Sequence, residues 1–154
     1  FYNSLPDKDI DIMLEVKDKN LSAVKCINTL TSSTLENEWN IYKYFVLERS
    51  LHHYSELQAI YKKEDSHLDF YKIIEEIAKK KPKKLLTILA LNQIWKQLET
   101  HAEEKEAKRF AYLLLRLKKG TGSAVAVKNF LYKLAEKYKP SISRYLFFYD
   151  IYPN

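Results

Sequence analysis

The chain has 154 residues, of which 46% are hydrophobic and 30% are charged, and its formal net charge is +6. This length predicts one domain, and the apolar content excludes an intrinsically disordered chain. Two glycines and four prolines are too few for a turn-rich β-sandwich or barrel, and the single cysteine, Cys26, excludes an internal disulfide bond.

Charge is divided unequally along the chain. Residues 1–76, the acidic half, carry 9 Lys and Arg against 14 Asp and Glu, a net charge of −5. Residues 77–154, the basic half, carry 17 against 6, a net charge of +11. A difference of this size creates a surface potential that attracts polyanions to one half and basic partners to the other.

Apolar residues recur at helical spacing along the whole chain, and no segment alternates with a period of two for long enough to form a strand. The predicted helices cover, in chain order, 6–18, 21–32, 34–63, 66–80, 82–98, 101–118, 123–138 and 141–151, and the third is either continuous or broken near Arg49 and Ser50. The prediction is therefore an all-α single domain, residues 1–154, of about eight antiparallel helices in a compact bundle or a short α-solenoid.

Helix starts are marked by residues that satisfy free backbone N–H groups. Capping boxes or close variants of them are predicted at Ser33-x-x-Glu36, Ser66-x-x-Asp69 and Thr100-x-x-Glu103. Pro82 and Pro140 stand where a first helical turn tolerates proline. The segment 82–98 is apolar nearly all round, which predicts a central helix that is buried on most sides.

The densest basic feature is a predicted helix–helix junction, Lys79-Lys80-Lys81-Pro82-Lys83-Lys84. Proline and mutual repulsion keep such a junction exposed, and bound phosphates would relieve the repulsion with release of counterions. The alternative is a solvated corner that only keeps the protein soluble.

Both glycines of the chain lie in a second basic junction, Lys118-Lys119-Gly120-Thr121-Gly122-Ser123. Lysines, glycines and hydroxyls at a helix N-terminus could bind an anion, although the spacing is not that of a Walker motif. In the alternative interpretation, Gly120 ends one helix in a left-handed conformation and Ser123 caps the next. The two interpretations are compatible.

Positive charge continues along the last two predicted helices, through Lys128, Lys133, Lys137, Lys139 and Arg144. Three tyrosines among them could stack on unpaired bases or pack in the core: Tyr132, Tyr145 and Tyr152. Because only four of the 26 basic residues are arginine, point-charge contacts to a nucleic-acid backbone are favoured over bidentate reading of base edges.

Candidate catalytic groups are sparse. Glu48, His52 and Glu56 share one face of a continuous helix and could present metal ligands, but the paired Glu-x-x-His motifs of a di-metal bundle are missing. Glu64-x-x-His67 spans a predicted helix start, and His101-x-Glu103 lacks the cysteines of a zinc deaminase. The sequence therefore predicts no catalytic residue, no metal, no cofactor and no enzymatic activity.

These features predict a non-enzymatic helical module, part of a larger assembly, whose basic half binds the backbone of RNA or DNA. The acidic half would contact a protein partner or a second copy of the chain. The alternative is a scaffold that docks acidic protein partners without nucleic acid. The longest apolar stretch is too short for a membrane span, and the first residues lack the charges of a signal or transit peptide. We therefore expect a soluble intracellular protein, cytoplasmic or nuclear, without membrane contact.

Overall fold

The computed structural model describes residues 35–62 and 67–151, and helices account for 80% of them. The helices are α1 (Leu35–Leu47), α2 (Leu51–Ile60), α3 (His67–Ala78), α4 (Lys84–Leu98), α5 (Glu104–Lys119), α6 (Ala124–Tyr138), α7 (Pro140–Ser143) and a final 3-10 helix (Leu146–Ile151). No described residue lies in a strand, which confirms the all-α prediction. The predicted helices 6–18 and 21–32 and the capping residues Ser33 and Ser66 lie outside the described residues.

The described ranges contain seven α-helices where about eight were predicted for the whole chain. The predicted break near Arg49 and Ser50 is present, because the extended Ser50 backbone ends α1 and its hydroxyl accepts a hydrogen bond from the His53 N–H at 3.4 Å. The predicted last helix is interrupted after α7. There the Phe148 N–H bonds the Tyr145 carbonyl at 3.1 Å, a tighter turn that carries Phe147 and Phe148 into the core.

The start of α5 lies three residues later than the predicted capping box. The Glu103 N–H donates to Glu106 Oε2 at 2.9 Å, so the box begins at Glu103 rather than Thr100. His101 and Ala102 still donate their N–H groups to the Leu98 carbonyl and complete the end of α4. The motif correctly predicted a helix boundary, but His101 and Ala102 complete the end of α4, so α5 begins after Glu103.

Two hydrophobic clusters meet at α1. One face of α1 packs with α2 and α3, and Tyr44 and Leu47 on another face pack with α4 to α7 and the 3-10 helix. A solenoid repeat contacts only its neighbours in sequence, whereas α1 contacts both α4 and the 3-10 helix. The described helices therefore form a compact bundle. None of them is long and apolar enough to cross a bilayer.

Helix α4 is buried along most of its length, as its apolar sequence predicts. Leu91, Ile94 and Leu98 have no solvent exposure, and Trp95 is half-buried and stacks on Phe110 with ring centroids 4.4 Å apart. The first turn differs, since Leu85 is 80% exposed. This turn follows directly on the first lysine-rich junction, which lies at the surface.

Candidate nucleic-acid interface

The two lysine-rich junctions, far apart in sequence, meet in space. The first joins α3 to α4, and the second joins α5 to α6. Lys84 Nζ donates a hydrogen bond to the Lys118 carbonyl at 3.2 Å, which places the start of α4 against the end of α5. We call the exposed lysines of these junctions the basic end: Lys79, Lys81, Lys83, Lys84, Lys118 and Lys119.

Cations of the basic end are not neutralised within the fold. None of its six ammonium groups forms an ion pair with a carboxylate in the described ranges 35–62 and 67–151. Lys80 differs from its neighbours, because its Nζ lies 2.9 Å from the Glu76 carboxylate and 3.4 Å from His53 Nε2. All five lysines of the first junction were predicted to contact a nucleic-acid backbone, but one of them, Lys80, already pairs with a carboxylate.

The backbone of the first junction is held by the break between α1 and α2. The Lys83 N–H donates to the Glu48 carbonyl at 2.8 Å, and Arg49 Nε donates to the Lys80 carbonyl at 3.1 Å. The lysine side chains thus project from a chain segment whose path is fixed at two points.

The second junction is a helix stop. Gly120 has a φ of 79°, the left-handed conformation that favours glycine, and its N–H bonds the Leu117 carbonyl at 3.1 Å. The N–H groups of Thr121 and Gly122 bond the Arg116 carbonyl at 3.0 and 3.1 Å. These two N–H groups are therefore used within the fold, and an anion site at the start of α6 stays a prediction.

The other parts of the helix-stop interpretation are also confirmed. The Ser123 hydroxyl accepts a hydrogen bond from the Ala126 N–H at 3.2 Å and caps α6. A Cβ on Gly122 would lie 2.9 Å from Arg116 Cβ, so close packing requires a glycine there. The glycines shape the connection, and the lysines before them supply its charge.

Lys128, predicted to bind nucleic acid, lies in the core. Its side chain is 5% exposed, with Nζ 2.9 Å from Glu48 Oε2 and 4.0 Å from the centre of the Phe147 ring. Glu48 has no exposure, and it also pairs with Arg49 and lies 3.5 Å from the Thr87 hydroxyl. Lys128 neutralises this carboxylate and does not belong to the interface.

Lys137 is exposed but already paired. Its Nζ lies 3.1 Å from Glu103 Oε1 and 2.9 Å from Glu106 Oε1, and the Tyr138 hydroxyl donates to Glu106 at 2.9 Å. The hydrogen bond from the Glu103 N–H, together with Lys137 and Tyr138, lowers the pKa of Glu106 from 4.5 to about 2. This network links α5 to α6 and makes Lys137 a structural cation.

The depressed pKa of Glu106 predicts a loss of stability in acid. A carboxyl whose folded-state pKa is lowered stabilises the fold above its unfolded pKa, and this contribution is lost as the pH falls toward 2. We expect Glu106→Gln to be less stable than wild type near neutral pH and the difference to narrow between about pH 5 and about pH 2. Urea unfolding across this range measures the difference. Glu99→Gln is the control, because Glu99 is exposed and has no side-chain bond within the described ranges. A gap between wild type and Glu106→Gln that stays constant with pH would contradict the prediction.

The remaining predicted cations stay at the surface. Lys133, Lys139 and Arg144 are exposed, and none pairs with a carboxylate among the described residues. Of the tyrosines near them, the two that the structure describes are used within the fold. Tyr145 is buried and donates to Gln97 Oε1 at 3.1 Å, and the Tyr132 hydroxyl donates to Glu136 Oε1 at 2.7 Å. Tyr152 lies outside the described residues.

The candidate metal ligands do not converge. The break before α2 separates Glu48, which is buried, from His52 and Glu56, which are exposed. Across the part of the chain that the structure describes, no group of three or more His, Cys, Asp or Glu side chains could hold a metal ion. Glu64 lies outside the described residues.

A groove between α5 and α6 contains two arginines that were not among the predicted site residues, Arg109 and Arg116. A cavity of about 430 Å³ is lined by Arg116 and residues 120–123, and a second of about 210 Å³ by Arg109, Asn129 and Lys133. Leu113 and Ala126 line both. We call this surface the α5–α6 groove. The signal in the sequence was Arg109-x-x-Tyr112-x-x-x-Arg116, a spacing that places three side chains on one helical face.

Fold and surface together define a helical bundle with an unneutralised cationic end beside a cationic groove. The chain belongs to the family described as a protein of unknown function, DUF1722, whose model matches residues 43–153. A curated relative is the UV DNA damage endonuclease of Clostridium perfringens (strain 13 / Type A), with 32% identity over 84 residues. The match covers 50% of this chain and only 20% of the relative. No solved structure matches the chain.

One prediction is corrected by this relative. The sequence motifs predict a protein that is not an enzyme, and similarity to part of an endonuclease contradicts that prediction. The prediction was wrong because it rested on the scarcity of catalytic motifs within this chain. The match covers only 20% of the relative, so the motifs of this chain represent a small part of such an enzyme.

Proposed function

We propose that this chain is the DNA-binding part of a DNA-processing enzyme and that the basic end holds the phosphate backbone. The observation that carries the proposal is the contact of Lys84 with Lys118, which joins two lysine-rich junctions into one surface. The name of the curated relative supports DNA as the polyanion.

Charge on the basic end is suited to a polyanion. Six ammonium groups without carboxylate partners in the described ranges repel one another, and a phosphate backbone relieves that repulsion and releases its own counterions. Lysine contacts phosphate as a point charge and does not read base edges bidentately. Binding at this end is therefore expected to depend weakly on sequence. The acidic half as a surface for a protein partner remains a prediction.

Salt dependence tests the proposal. Fluorescence anisotropy should show binding of random-sequence duplex and single-stranded DNA, with log K falling linearly with log salt. With about six phosphate contacts, affinity should fall about a thousandfold between about 50 and about 200 mM salt. A polyglutamate peptide of equal charge is the comparison. No DNA binding at about 50 mM salt, or equally tight binding of the peptide, would overturn the proposal in favour of a protein-docking scaffold.

A further inference from the structure

The α5–α6 groove adjoins the basic end. Gly120 and Thr121, which line one end of the groove, follow directly on Lys118 and Lys119. Its larger cavity, about 430 Å³, lies within the range of small-ligand sites, about 300–1,000 Å³. A strand held by the basic end would therefore pass the mouth of a cavity large enough for one of its nucleotides.

An exposed aromatic ring on α5 lies between two guanidinium groups that line the groove, one in each cavity, although the ring itself lines neither. Tyr112 is 51% exposed, and the guanidinium carbons of Arg109 and Arg116 each lie 5.8 Å from the centre of its ring. The two arginines are two helical turns apart, about 10 Å. Cations on both sides of the ring can pair with the phosphates before and after a nucleotide, and aromatic rings bind unpaired bases by stacking.

Asn129 supplies a polar group that the fold itself does not use. It lines the groove, and its Oδ1 is buried with no hydrogen-bond partner in the part of the chain that the structure describes. A buried acceptor without a partner destabilises a fold, so most such atoms are paired. If the amide turns toward the groove that Asn129 lines, a ligand with an N–H donor, such as the edge of a base, would satisfy this oxygen.

We propose that the α5–α6 groove binds a single unpaired nucleotide. Its base stacks on Tyr112 and donates a hydrogen bond to Asn129 Oδ1, and its phosphates pair with Arg109 and Arg116. This inference rests on the proposed function, because the basic end is the surface that brings the strand to the groove. It adds a preference for single-stranded or locally unpaired DNA over duplex, which lysine contacts alone do not provide.

Paired measurements on single-stranded and duplex DNA of the same sequence test the proposal. Tyr112→Leu should weaken binding of the single strand by about 5- to 150-fold and change binding of the duplex by less than about twofold. Tyr149→Leu is the matched control, because Tyr149 is 53% exposed but lies on the final 3-10 helix rather than between the two arginines of α5. A 2-aminopurine in the single strand should be quenched by wild type and by Tyr149→Leu, but not by Tyr112→Leu.

Asn129→Leu separates a binding role from a structural one. The substitution keeps the side-chain shape and removes the unpaired oxygen, so the melting temperature should rise by about 2–4 °C while affinity for the single strand falls. A lower melting temperature would show that Asn129 has a structural partner, and it would remove this residue from the site.

Failure of this inference can be distinguished from failure of the proposed function. If wild type binds neither form of DNA, both fail. If it binds single strand and duplex equally, and Tyr112→Leu behaves like Tyr149→Leu, the groove is not a nucleotide site and the basic end alone binds DNA. Binding of polyglutamate that depends on Tyr112 and matches that of the single strand would assign the groove to an acidic protein segment.

Discussion

Lys128→Met is expected to lower the free energy of unfolding by about 1–3 kcal/mol, because the buried Glu48 loses one cation and keeps the other, Arg49. The substitution removes the buried ammonium that lies 2.9 Å from Glu48 Oε2 and leaves a carboxylate with no solvent exposure short of one of its cations. Urea or thermal unfolding measures the change.

Lys133→Met on the same helix is the control, because Lys133 is exposed and should change stability by less than about 0.5 kcal/mol. A double variant, Glu48→Gln with Lys128→Met, should be less stable than Lys128→Met alone, because a glutamine cannot neutralise Arg49, which is 6% exposed and pairs with Glu48. If Lys128→Met is as stable as Lys133→Met, the buried Glu48 does not depend on Lys128.

Removal of charge from the basic end should have the largest effect on binding. With all six of its lysines changed to glutamine, the slope of log K against log salt should fall by up to about 5 on duplex DNA and about 4 on single strands. Stability should barely change, because these side chains are exposed.

The control is a second variant in which six lysines elsewhere are changed to glutamine, so that its net charge equals that of the first variant. These six are Lys43, Lys62, Lys72, Lys96, Lys105 and Lys108. Several of these have partners, such as Lys105 with Glu103 at 2.8 Å and Lys108 with Glu104 at 2.6 Å. The control variant should retain most of the salt slope. If both variants lose it equally, DNA responds to net charge alone and the basic end is not a site.

Local signals in the sequence predicted the helices well, because helical spacing, caps and glycine stops act over a few residues. The Ser50 break, the left-handed Gly120 and the Ser123 cap were all predicted from adjacent residues. The 3-10 helix was missed because tertiary packing of Phe147 and Phe148, rather than local propensity, selects it.

For the candidate site, the sequence predicted only those lysines whose exposure follows from the residues next to them. A run of lysines around Pro82 must reach solvent, and it does. Lys128 needed a different argument. Its helical neighbours Leu131 and Ala135 are buried and indicate an inward face, but its partner Glu48 comes from a distant helix end. The groove was missed for the same reason, since it exists only where α5 meets α6.

The two backbone hydrogen bonds from the α1–α2 break to the first lysine junction affect the entropy of any association there. A flexible connection loses about 1–2 kcal/mol of backbone entropy per residue when a ligand orders it. The Glu48 carbonyl holds the Lys83 N–H, and Arg49 holds the Lys80 carbonyl, so this segment has lost that freedom on folding. Only the side chains of Lys79, Lys81 and Lys83 remain to be ordered, because Lys84 already donates to the Lys118 carbonyl. A polyanion therefore meets a preorganised surface, and the buried Glu48 that Lys128 neutralises belongs to the support of that surface.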